Sequence, residues 1–98
     1  MIRSWKNARV RRVFESGNVR GFRGLDREKL ENRLAALNVA KSLEDLGRLR
    51  SVGLHKLKGS RKGQWTMIVN GPWRVCFRFD RGHAHDVEIT DYHKGCVT

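Results

Sequence analysis

Asp91, Tyr92 and His93 follow one another in the stretch EITDYHKG near the end of the chain. A strand that only has to finish a sheet needs none of them. A second stretch, LHKLKGSRKGQW (54–65), carries another imidazole, His55, among Lys56, Lys58, Arg61 and Lys62. With Arg74, these residue types suit cleavage of an RNA backbone. That reaction needs a general base for the 2′-hydroxyl, a general acid for the departing 5′-oxygen, and a cation to offset charge growing on the phosphorane. Imidazole titrates near neutrality and serves either proton role. Lys58 and Arg74 are the candidates to hold the phosphate, and Tyr92 to stack on a base or act on a proton. Asp91 and His93, two residues apart, share a strand face, and a carboxylate there favours the imidazolium form.

Plainer readings stand beside these. His55 alone serves equally well as core or surface filler, and Asp91 as an orienter of His93 or a backbone cap. Arg78 fits either RNA or a cross-strand partner, Glu88. His83 and His85 flank a turn and read as solvated, without a role. Cys76 and Cys96 read as free thiols, and a zinc site is disfavoured because no C-x-x-C pair exists. GSRKGQ lacks the ending of a P-loop and leads into a strand, so it reads as a basic hairpin loop.

The elements that must position these residues follow from pattern. Residues 2–5, IRSW, read as a short strand. Val10, Val13 and Phe14 share a helical face ended by Gly17. Asp26 is an N-cap, with Leu25 and Leu30 as a hydrophobic staple and Leu30, Leu34 and Leu37 as the buried stripe. Ser42 and Asp45 form a capping box before Leu46 and Leu49. The second half then changes period. Trp65, Met67 and Val69 alternate, Asn70-Gly71 signals a hairpin, and Trp73, Val75, Phe77 and Phe79 face away from Arg74, Cys76 and Arg78. DRGH (80–83) is a second turn, and the last strand brings Val87 and Ile89 inward. This is one α+β domain spanning 1–98, with a short N-terminal strand and helices packed on one face of a mainly antiparallel sheet of four to five strands. The other face is left to solvent and to the site. Strict alternation sets His55 and Lys58 on opposite faces, so both serve one site only if their strand ends near Leu57.

Charge points to the substrate. Twenty-one Lys and Arg oppose ten Asp and Glu, a net +11 on 98 residues. Such a field draws polyanions, nucleic acid first, an acidic protein second and an anionic membrane third. Arg outnumbers Lys, and its planar fork suits phosphates and base edges. No apolar run is long enough for a membrane span, and the first residues lack the continuous apolar segment of a secretory signal, so a cytoplasmic location is expected.

The stretches LHKLKGSRKGQWTMIVNGPWRVCFRF and EITDYH resemble the HigB toxins of the RelE-like superfamily of toxin–antitoxin nucleases. The elements L-x-x-L-K-G, W-R-[IV]-x-F and D-Y-H occur in that order and spacing, and the resemblance spans nearly the whole chain. It implies a RelE-like fold of the microbial-ribonuclease type and a ribosome-dependent endoribonuclease that cuts mRNA in the ribosomal A site and needs no metal or other cofactor. It implies silencing by a HigA-like helix-turn-helix antitoxin, with contact to operator DNA only through the antitoxin complex and none to membrane. The active-site positions carry over onto His55, Lys58, Arg74, Asp91, Tyr92 and His93. Lys56, Arg61, Lys62, Asn70 and Arg78 are the expected RNA contacts. Some members have Arg where this chain has Asn70, which leaves Asn70 to hydrogen-bond a base or phosphate without charge. The rival reading is a non-catalytic RNA- or ribosome-binding module built on the same charge with Trp65 and Trp73. The D-Y-H element separates the two, since binding alone needs no paired imidazoles.

Overall fold

The computed structural model describes residues 1–17, 21–48, 53–57 and 63–91. Among the described residues, three helices precede four strands: α1 (Ala8–Ser16), α2 (Arg27–Val39), α3 (Leu43–Gly47), then β1 (His55–Lys56), β2 (Trp65–Ile68), β3 (Trp73–Asp80) and β4 (His83–Asp91). The strands form one antiparallel sheet in the order β1-β2-β3-β4. The expected N-terminal strand is reduced to two isolated parallel bridges on β4, Ile2 to Ala84 and Trp5 to Val87.

Each helix begins where a short polar side chain satisfies an orphan amide. Asn7 Oδ1 accepts from Val10 N–H at 3.1 Å, and Asp26 Oδ1 from Lys29 N–H at 3.1 Å. At α3 the capping box is complete: Ser42 Oγ accepts from Asp45 N–H, and the Asp45 carboxylate accepts from Ser42 N–H. Asp45 Oδ2 also accepts from Lys41 N–H, and that bond chiefly holds its carboxyl below the ordinary range.

Val10, Val13, Leu30, Leu34, Leu37 and Leu46 from the helices meet Met67, Val75, Phe77, Val87 and Ile89 from the sheet in one core. Phe77 is fully buried, so Phe77→Ala would cost about 3–5 kcal/mol, a large part of a small domain's stability. Phe14 does not join Val10 and Val13 inside. It is 40% exposed and packs its ring on Trp5 at 5.1 Å.

Both hairpins turn where glycine was expected. In the first, Trp73 N–H donates to Asn70 O at 2.9 Å and Gly71 takes φ 51°. In the second, Arg81 and Gly82 both have positive φ, 51° and 81°, the pair a two-residue hairpin with right-handed twist requires. A side chain with a Cβ is strained there, and Asn tolerates the region better than Arg. Arg81→Asn is expected to stabilise the fold by about 0.5–1 kcal/mol. A melting temperature at or below that of the parent would contradict this account of the turn.

Opposite the helices, the sheet departs from expectation. Its centre is not solvated, because Leu57, Thr66 and Cys76 are all buried there. Cys76 is disulfide-bonded, which corrects its reading as a free thiol, and its sulfur lies 3.6 Å from Thr66 Oγ1. The other cysteine of the chain, Cys96, and the last leucine of the α3 pattern, Leu49, lie outside the described residues.

Candidate active site

Pairing register decides which side chains share a face. His55 lies opposite Thr66, Thr66 opposite Cys76, and Cys76 opposite Glu88. One pair further along the sheet, Ile68 lies opposite Arg74 and Arg74 opposite Thr90. Directly paired residues point the same way, so both rows occupy the face turned from the helices. His55 and Arg74 therefore share it. Two strand spacings and two residues separate their Cα atoms by roughly 12 Å, a gap that two long side chains and one phosphodiester fill.

His55 is exposed on the edge strand. β1 ends at Lys56, before Leu57, as the alternation argument required, although Leu57 N–H still donates to Gln64 O at 2.9 Å. Arg74 is half-buried at the hairpin end of β3. Its Nη1 donates to Gly71 O at 2.7 Å and to Trp73 O at 2.9 Å. These bonds fix the guanidinium against the turn and pre-order a donor fork that a flexible side chain would lose entropy to align.

Asp91 is displaced from its expected face. It pairs with Trp73, whose ring lies edge-on to Phe22, 5.6 Å away, and whose indole N–H donates to Arg23 O. Asp91 is thus on the helix side of the sheet, and Thr90 takes the place beside Arg74. Strict alternation counted back from Asp91 would have found Thr90. The described chain ends at Asp91, at the same end of the sheet as Arg74 and the Asn70-Gly71 turn. Lys58, Arg61, Lys62, Tyr92 and His93 lie outside the described residues.

Three expected RNA contacts find other surroundings. Asn70 clamps the hairpin to the loop before α2: its Oδ1 accepts from Asp26 N–H at 2.8 Å, and its Nδ2 donates to Gly24 O at 2.9 Å. Both polar atoms of the amide thus take part in holding the fold. Lys56 turns to the helix side, its ammonium 6.0 Å from the Trp65 ring. Arg78 does not pair with Glu88. A bulge between Cys76 and Arg78 shifts the register, so Arg78 faces His85, and its Nε lies 3.7 Å from Asp86 Oδ2 across the bulge. Both partners are exposed, so the pair is worth at most about 1 kcal/mol. Arg78 also approaches the loop before β2, since a Cβ built on Gly63 falls 2.9 Å from its Nη1.

His83 is not the solvated histidine that its turn suggested. Its Nδ1 is buried and has no hydrogen-bond partner among the described residues. Burial lowers its pKa from the ordinary 6.5, and Arg3, the N-terminal ammonium and His85 push it the same way. The folded chain therefore binds fewer protons than the unfolded chain just below pH 6.5. Stability is intact above that pH and falls as acid is added through the window beneath it. Urea midpoints across this window should drop toward acid in the wild type and flatten in His83→Gln. Parallel curves for the two proteins would rule His83 out as the cause.

The sequence matches the model of a HigB-like toxin family, described as the RelE-like toxin of the type II toxin–antitoxin system HigB, over residues 3–93. It is also similar to Endoribonuclease HigB of Proteus vulgaris, with 36% identity over 93 residues, covering 95% of this chain and 100% of that protein.

Proposed function

The chain belongs to the HigB-like family of RelE-like type II toxins, and on that premise we propose that it is an endoribonuclease that cuts mRNA in the ribosomal A site and so blocks translation. A toxin of this type has an antitoxin partner. The partner in this reading is a HigA-like helix-turn-helix protein, which carries the complex to operator DNA, and the pair works in the cytoplasm.

The observation that carries the proposal is the shared face of His55 and Arg74, at the sheet end where the chain runs on toward Tyr92 and His93. His55 removes the 2′-hydroxyl proton. The oxygen attacks the adjacent phosphorus, and the bond to the 5′-oxygen breaks as His93 delivers a proton to it. Arg74 and Lys58 offset charge on the phosphorane, which is why the reading needs no metal. Tyr92 stacks on a base beside the scissile bond. Arg61, Lys62 and Arg78 hold backbone phosphates along the basic loop. The products are a 2′,3′-cyclic phosphate and a 5′-hydroxyl.

Induced expression without a partner should arrest growth and translation in a bacterial host. Programmed ribosomes should yield mRNA cut in the A site, equally well at EDTA levels that leave ribosomes whole. Normal growth at confirmed soluble expression, with uncut mRNA, would remove the activity.

A further inference from the structure

Five cations, Arg3, Lys6, Arg9, Arg11 and Arg12, precede the first acid, Glu15. All five are exposed. Ile2 and Trp5 pack on the core, while Arg3 and Lys6, each following one of them, stay exposed in the segment bridged to β4. Val10 and Val13 take the inner side of α1, which leaves Arg9 and Arg12, three residues apart, on its outer surface. Arg11 pairs with Glu15 at 2.9 Å and Arg9 lies over the Phe22 ring at 4.5 Å. Among the described residues, Arg3, Lys6 and Arg12 have no carboxylate partner. Beside this stripe is a cavity of about 300 Å³ lined by Trp5, Asn7, Ala8 and Arg11. The surface is at the β4 edge and the helix side of the sheet. His55 is on β1, at the other edge, and Arg74 points from the other face.

We infer that this stripe is a second nucleic-acid surface, which grips the phosphates of a folded RNA while the opposite face receives the strand to be cut. The inference rests on the proposed ribosomal activity and assigns the docking step to named residues. Four of the five cations are arginines, whose planar forks match phosphate oxygens in pairs. The cavity lining includes Trp5 and Arg11, residue types that hold unstacked bases. An acidic peptide would use the charge but has no need of an aromatic recess.

The test uses vacant bacterial ribosomes, free of mRNA, and measures affinity against salt. Arg3→Gln/Lys6→Gln/Arg12→Gln is compared with the wild type and with Arg74→Ala, folding being checked by melting. Removing three phosphate contacts should weaken binding on the order of 100-fold at physiological salt and lower the salt slope by about 2 to 3. Arg74→Ala should bind vacant ribosomes as the wild type does. A triple variant with wild-type affinity and slope overturns the inference. So does a triple variant that keeps ribosome binding and loses only a polyaspartate probe, an outcome that would assign the surface to an acidic protein. If the wild type binds through the stripe yet cuts no mRNA, the nuclease reading fails and the docking surface stands.

Discussion

Arg74→Ala is expected to cut the single-turnover rate of mRNA cleavage on programmed ribosomes by at least 10² to 10³, with the fold intact by circular dichroism. Arg78→Ala should stay within a few-fold of wild type. Both are arginines of one strand on one face, and register separates them. Arg74 opens β3 at the hairpin, beside Thr90 and next to the end of the described chain at Asp91. Arg78 is four residues on, roughly 13 Å along the strand, across a bulge and beside Asp86. A phosphate held by His55 and Arg74 does not reach it. Arg74→Ala also removes two donors from the carbonyls of Gly71 and Trp73. The melting temperature must therefore be followed, and Arg74→Lys separates charge from shape. Lysine restores a cation without the fork, so it should recover a part of the rate and leave a defect of more than tenfold. Equal losses for Arg74→Ala and Arg78→Ala would mean that the face acts by diffuse charge and not through one positioned guanidinium.

Local signals read well wherever the local chain decides the structure. Asp26, Ser42 and the Asn70-Gly71 turn did what their types imply, because a cap or a tight turn is settled within four residues. The leucine stripe of α2 and the alternation of β3 followed from the two periods of helix and strand. Errors arose where a distant partner decides. Asn70 enters as an RNA contact only through the family resemblance, and the partners its amide takes in the fold are 44 and 46 residues away. The alternative reading of Arg78, a cross-strand pair with Glu88, holds only for an unbroken ladder. The bulge, with Asp86 at φ 53°, shifts the register so that Arg78 meets Asp86 instead. Asp91 was moved to the helix side by the same dependence on register, since a one-residue offset reverses every face. The burial of Leu57, Thr66 and Cys76 on the face turned from the helices was invisible for a related reason: a sheet with one face on helices gives no sign of a second apolar patch on the other. Within the proposed site, residue types alone suggest a proton-transfer set with cations. Their mutual placement required the strand order.

The two histidines of the proposed mechanism make opposite contributions, and the pH dependence should separate them. His55 is exposed on an edge strand, free to meet a 2′-hydroxyl, and is assigned the base. His93, outside the described residues, is assigned the acid because the family resemblance includes it in the active site and an imidazole can donate a proton near neutrality. Removing either group should lower the single-turnover rate by about 10² to 10⁴. A base works deprotonated and an acid works protonated, so the wild-type rate should trace a bell against pH. His55→Gln should lose the acidic limb, since no base remains to be protonated away. His93→Gln should lose the alkaline limb. Both variants should bind programmed ribosomes as the wild type does, because neither removes a charge fixed at neutral pH. The double variant should be little slower than the worse single one if the two protons move in one concerted step, since groups that act as a unit are not additive. Two outcomes would reassign the roles. A His93→Gln rate within a few-fold of wild type removes His93 and leaves protonation of the 5′-oxygen to Tyr92, Lys58 or His55. If each variant instead loses the limb assigned to the other, His93 is the base and His55 the acid, and attack on the phosphorus begins from the C-terminal side of the cleft.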